Sequence, residues 1–227
     1  MLWRSGRYRA DSVLSVAACL SWGLLAVLAP AFALAQAAPG SIEVGVGGGR
    51  FLGGTLAKGS NGAFDTTVGV DQNPTGGFWL GAQLSPEWGV EFAYRRTATE
   101  VIEHHGGLFS HQRALAGLDV ASIEVLAMRS FRYGNFLPYL GAGVGLANLD
   151  LDAPDPSLRD SNRGALSLTG GARFYLARWL GIRIDVRERA TYLGARSQGQ
   201  DHGWLDTGRW FFDTELTGGV FASFGGK

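Results

Sequence analysis

The sequence predicts an all-β chain: an eight-stranded antiparallel up-and-down transmembrane β-barrel behind a cleaved N-terminal signal peptide. Three observations carry this. Apolar and polar residues alternate with period two almost throughout the chain beyond Gly40, the pattern of strands with two unlike faces. The connections between those strands alternate short and long, as they do in membrane barrels. The first 35 residues have the build of an export leader.

The leader comes first. Arg4, Arg7 and Arg9 form a basic start, and 13–34 is nearly all apolar. Small residues at Ala33-Leu34-Ala35 and Ala35-Gln36-Ala37 suit signal peptidase, so cleavage is expected after Ala35 or Ala37, leaving a barrel domain over 41–224. The apolar run is also long enough to span a bilayer uncleaved, and the small-x-small sites argue against that reading. Cys19, the sole cysteine, sits inside the apolar run with many apolar residues after it, unlike a lipoprotein cleavage site. A mature chain without cysteine is held by its ladders and packing, with no disulfide.

Eight strands follow. They span about 42–51, 76–84, 88–99, 114–131, 136–146, 165–177, 180–191 and 209–224. In the third, Trp88, Val90, Phe92 and Tyr94 oppose Gly89, Glu91, Ala93 and Arg95. The seventh is the cleanest, with Leu180, Ile182, Ile184 and Val186 against Gly181, Arg183, Asp185 and Arg187. In the fourth, the alternation changes phase between Val120 and Ile123, which a β-bulge would explain. Short turns follow the second, fourth and sixth strands, at Ser85-Pro86-Glu87, Arg132-Tyr133-Gly134-Asn135 and Arg178-Trp179. Long polar loops follow the others, at about 52–75, 100–113, 147–164 and 192–208.

The apolar face is aliphatic in mid-strand, with Trp88, Phe131, Phe136, Trp179, Trp210, Phe212 and Phe224 near the ends. That is the arrangement of a lipid-facing band between two aromatic girdles. A soluble lipocalin-like barrel would instead put its large apolar residues inside. The composition agrees: 35 glycines, roughly twice the usual ~7% share, recur inside the apolar runs, where strands bend and pack closely. Removing Arg4, Arg7, Arg9 and Asp11 with the leader lowers the 20 basic and 20 acidic residues to 17 and 19, and this balance points to no nucleic-acid partner.

Two segments resemble a known family. The run Phe136-Leu137-Pro138-Tyr139-Leu140-Gly141-Ala142-Gly143-Val144-Gly145 resembles the Pro-Tyr-x-Gly-x-Gly-x-Gly run of small bacterial outer-membrane β-barrel proteins. That family includes the opacity-protein-like and outer-membrane-protein-A-like barrel domains. Gly170-Gly171-Ala172-Arg173-Phe174, continuing to Arg187, looks like its sixth and seventh strands. The last strand resembles the terminal signal read by the barrel-insertion machinery, with Thr217, Gly219 and Phe224 at the matching positions. It departs from that signal at Ala222, where a larger residue is usual, and in Gly225-Gly226-Lys227 beyond the aromatic. The resemblance implies an outer-membrane location, with lipid and the insertion machinery as partners; no peptidoglycan-binding domain is expected behind the barrel, so that role of the larger relatives does not carry over.

The charges on the polar face are the residues that could carry chemistry. Glu43, Glu91, Arg95, Glu124, Arg173, Arg183, Asp185, Arg187, Asp213 and Glu215 are expected to point into the lumen. An eight-stranded interior is just wide enough for side chains to fill, so these groups must pair. They form either a salt-bridged filling or a narrow polar conduit. His104, His105, His111 and His202 fall in the second and fourth loops, and without cysteine or spaced carboxylates they read as solvated residues, so no metal site is expected. The acidic stretch Asp150-Leu151-Asp152-Ala153-Pro154-Asp155-Pro156 lacks the glycine and distal glutamate of a calcium loop. The sequence has no Gly-rich phosphate loop and no His-x-Ser pair, and the adjacent Ser110 and His111 would diverge on a strand. No catalytic residue and no cofactor are expected. The reading is a non-catalytic envelope protein, structural or making surface contacts with an external ligand through its loops. The alternatives are a small polar channel and a lipid A-modifying enzyme.

Overall fold

The computed structural model describes residues 39–60, 65–105, 111–152, 161–193, 205–207 and 210–225. The leader, both cleavage sites, Cys19 and His202 lie outside the described residues. Eight long antiparallel strands form a closed ring. In chain order they are β1 (Ser41–Phe51), β4 (Asn73–Gln83), β5 (Trp88–His105), β6 (His111–Ser130), β7 (Phe136–Leu151), β8 (Ser161–Tyr175), β9 (Leu180–Tyr192) and β11 (Trp210–Gly225). Each pairs with the next, and β1 with β11 closes the ring from Ser41↔Gly225 to Phe51↔Glu215. A closed ladder leaves no edge in hydrocarbon, where an unpaired N–H or C=O costs several kcal/mol.

Tight turns link β4 to β5, β6 to β7 and β8 to β9, as the sequence predicts. In the first, the Ser85 hydroxyl accepts hydrogen bonds from the Glu87 and Trp88 N–H groups. In the second, Tyr133 and Phe136 exchange backbone hydrogen bonds around Gly134, whose φ of 63° favours a residue without Cβ. By the rule that short turns face the periplasm, this end of the barrel is periplasmic.

The outward positions of the wall are aliphatic: Val44 and Val46 on β1, Val125 on β6, Val144 and Leu146 on β7, Leu166 and Leu168 on β8, Ile184 on β9 and Val220 on β11. Large apolar side chains this exposed over a whole wall mark a lipid-facing surface. Trp88, Phe131, Phe136, Phe174 and Phe224 ring the turn end of this face, and Tyr192, Trp210 and Phe212 lie at the loop end. Trp179 is only half-buried.

Above this band the wall reverses its polarity. Arg50, Arg96, Asp119, Asn148 and Glu188 point outward, and Arg96 holds Asp119 in a bidentate pair with a shortest distance of 2.6 Å. At and beyond that level an apolar cluster fills the inside, with Phe51, Val70, Val101, Leu118, Val120 and Phe211 packed together beside Thr97 and Thr99. The outer end is therefore built like a water-soluble barrel, and the part below it like a membrane barrel.

This reversal corrects the bulge expected between Val120 and Ile123. The β5–β6 register runs unbroken from Trp88↔Arg129 to Val101↔Ala116, and the shift falls at Val101/Ile102, where Leu115 has no partner. Val120 faces in and Ile123 faces out with the same strand phase. It is the surrounding solvent that changes, from lipid to water.

The expected loop over 52–75 is also corrected. Leu52 and Gly53 break the chain only briefly, and β2 (Gly54–Ser60) then pairs antiparallel with β3 (Asp65–Val70). β3 continues onto the outer end of β5, and the short β10 (Leu205–Thr207) adds to β2. Likewise β5, β6, β7 and β8 run several residues further outward than predicted. The polar residues there suit strands whose outer face meets water.

Candidate functional site in the barrel lumen

β9 carries the centre of the lumen. Arg183, Asp185, Arg187 and Arg189 are two residues apart, so all four point to the same side of the sheet. Their partners come from both the neighbouring strand and the opposite wall. On neighbouring β11, Asp213 lies opposite Arg189, Glu215 opposite Arg187 and Thr217 opposite Asp185. Across the lumen, β5 supplies Glu91 and β6 supplies Glu124.

Glu91 binds three guanidinium groups. Arg183 donates to both its oxygens, Arg187 Nη2 lies at 3.4 Å and Arg173 Nη2 at 3.5 Å. Glu124 accepts from Arg187 Nη1 at 2.6 Å and from Arg189 Nη1 at 3.3 Å. Arg189 also grips Asp213 with two hydrogen bonds of 2.8 and 3.1 Å, reaches Glu215 at 3.1 Å and donates to Ser122 at 2.6 Å. Asp185 pairs with Arg183 at 3.3 Å and accepts from the Thr217 hydroxyl at 3.0 Å. Nearer the turn end, Glu43 binds Arg173 at 3.2 Å and accepts from the Trp79 indole N–H at 2.9 Å.

All ten expected lumen residues are thus buried in one connected network. Five arginines face six carboxylates among the described residues. Bidentate and shared contacts of this kind offset the several kcal/mol each ion loses on leaving water. Arg95 is the exception. Its three nitrogens have no hydrogen-bond partner, Asp185 lies 3.5 Å away, and its guanidinium sits 6.0 Å from the Trp79 ring centre.

Apolar side chains interleave with the network on its turn side and cover it on its loop side. On the turn side lie Trp79, Leu126, Met128, Leu137, Tyr139, Tyr175 and Phe221. Arg183 stacks 4.8 Å from the rings of both Trp79 and Tyr139, so this layer also receives positive charge on its π faces. The Trp79 indole packs against Gly45 and Gly219, where a Cβ would collide with it, and against Gly47, where a Cβ would lie 3.2 Å from it. On the loop side lies the apolar cluster around Phe51 and Phe211. A recess of about 10 Å³, roughly one water, opens beside Glu43, Gln83, Met128 and Arg173.

Three side chains packed in the lumen were not anticipated. Arg189 continues the two-residue spacing of Arg183 and Arg187, a signal present in the sequence. Trp79 and Tyr139 resemble girdle aromatics by type, and only strand phase shows that they face inward. Of the residues expected to form an insertion signal, Thr217 and Gly219 line the lumen and Phe224 faces out. His104 and His105 lie on β5 and His111 on β6, with His105 paired to His111 in the ladder. No group of three or more metal-ligating residues occurs among the described residues.

A closed antiparallel ring, apolar where it meets lipid and ionic within, defines an integral outer-membrane β-barrel. Residues 24–210 match the family model for the outer membrane protein beta-barrel domain, and the chain belongs to that family. Among solved structures it is similar to the outer membrane protein OprG of Pseudomonas aeruginosa, at 16% identity and a TM-score of 0.54, covering 85% of this chain and 99% of that one. It is also similar to Neisserial surface protein A, at 17% identity and a TM-score of 0.51, covering 82% of this chain and 99% of the other. These likenesses concern the fold. A sequence search of curated proteins finds no match.

Proposed function

We propose that this outer-membrane barrel is non-catalytic, that its lumen is a structural filling, and that it acts through the loops at its outer end. The observation that carries the reading is the ion-paired network that fills the lumen beneath the apolar cluster around Phe51 and Phe211. An ion crossing the lumen would have to break paired charges and then pass the apolar cluster around Phe51 and Phe211. Each described lumen carboxylate except Glu215 is held by at least two donors, and Glu215 is bound by Arg189. The leader would export the chain, and the last strand, with Thr217, Gly219 and Phe224, would be read by the insertion machinery. The outer loops, carried on a rigid frame, are where an external partner would bind.

Planar-bilayer recording tests this. The wild-type barrel should show no steady open state, and Arg187→Ala should still conduct little, because the apolar cluster at the loop end persists. A stable wild-type conductance abolished by replacing lumen charges would establish the second reading, a small polar channel. One feature favours that alternative: Arg95, Asp185 Oδ1 and Glu215 Oε2 lack hydrogen-bond partners, and under-bonded polar atoms attract water.

A further inference from the structure

The periplasmic rim between β5 and β6 carries an opposite-charge pair on the lipid-facing side, where burial of the lumen network plays no part. Trp88 and Arg129 are direct cross-strand partners, and both point outward. The Arg129 guanidinium lies 5.6 Å from the Trp88 ring centre and 5.5 Å from that of Phe131, so two aromatic faces hold it at the membrane boundary. Glu87 stands beside it, its Oε2 3.4 Å from Arg129 Nη2, and both side chains remain half exposed. The backbone around Glu87 is fixed from three directions. Its N–H donates to the Ser85 hydroxyl, its carbonyl accepts from the Ser130 N–H at 2.7 Å, and Arg132 Nε holds the Pro86 carbonyl at 3.0 Å.

An exposed pair of this length contributes little by itself. Its surroundings give it another use. A cation and an anion side by side at the phospholipid interface match a headgroup that carries both charges. Below them the outward side chains of Val90, Phe92, Val125 and Ala127 form a continuous apolar track for acyl chains.

We propose that Glu87, Trp88, Arg129 and Phe131 form a headgroup site for an ethanolamine phospholipid. Arg129 binds the phosphate through its guanidinium N–H groups, and the Glu87 carboxylate accepts hydrogen bonds from the primary ammonium. A choline headgroup has no N–H to donate to Glu87. A glycerol headgroup brings no positive charge to it.

The test is native mass spectrometry of the whole barrel released from micelles containing phosphatidylethanolamine, phosphatidylcholine and phosphatidylglycerol with matched acyl chains. The wild type should retain the ethanolamine lipid about fivefold over the choline lipid, the ratio that ~1 kcal/mol supplies. Glu87→Gln should erase that preference and raise retention of the glycerol lipid. Arg129→Gln should lower retention of all three. The heat-dependent gel mobility of each variant verifies that it has folded, and a variant that fails this check is replaced by Glu87→Ala or Arg129→Met. Equal retention of the three lipids by the wild type, or an unchanged ethanolamine-to-choline ratio in Glu87→Gln, overturns the proposal.

Discussion

Glu91 is the side chain on which the lumen depends most. It binds Arg173, Arg183 and Arg187 from β8 and β9 across the barrel. Glu91→Ala leaves three buried guanidiniums short of a counter-charge, so it should cost on the order of 3–5 kcal/mol in reversible unfolding from lipid vesicles. A loss below about 1 kcal/mol would mean that water already screens the network. A second residue-scale pair contrasts neighbouring glycines on opposite faces. A Cβ at Gly219 would lie 2.8 Å from both Gly47 Cα and Trp79, whereas at Gly218 it would meet only the Arg183 carbonyl oxygen at 3.8 Å. Gly219→Ala should therefore cost about 1–3 kcal/mol through overpacking, and Gly218→Ala should unfold at the wild-type midpoint. Residues of this kind were only partly legible in the sequence. The lumen charges could be read because lone charges on an alternating strand have one sheltered side to occupy. The role of Trp79 could not, because an indole suits a lipid boundary and a packed interior equally, and the glycines that admit it come from other strands.

At the scale of the element, β5 and β6 keep one strand phase while their surroundings change. Ala98 faces out opposite Asp119, above the lipid, and Val125 faces out within it. Val125→Arg should cost about 2–4 kcal/mol, and Ala98→Arg about 0–1 kcal/mol, in unfolding titrations from bilayers. Equal costs would show that the hydrocarbon boundary is not at the Arg96–Asp119 level. The same switch explains what the sequence reading missed. Alternation reports which residues differ from their neighbours, and not what lies on either side. Where lipid gives way to water, the apolar side chains move to the inner face, and a regular strand then resembles a bulged one. The strands over 54–60 and 65–70 were hidden for a related reason. Lys58, Thr66 and Thr67 suit a loop by composition, and their pairing depends on the distant outer end of β5.

For the whole molecule, the number of strands, the order of turns and the lipid-facing wall were legible because each follows from local alternation and turn chemistry. The closure of the ring and the partners inside it depend on residues far apart in sequence. A closed ladder around an ion-paired interior should keep its fold in sodium dodecyl sulfate at room temperature. Unboiled protein should migrate differently from boiled protein in the gel, and identical mobility would contradict a closed barrel.

The packing of Trp79 against the glycines of β1 and β11 has one more consequence. The two strands that meet there are the first and last of the barrel, so their ladder can form only once the chain has come full circle. The indole touches both sides of that junction. In a chain whose other tryptophans are replaced by phenylalanine, its emission becomes a clock for assembly. It should shift to the blue as the final event, later than the gain of strand signal in circular dichroism.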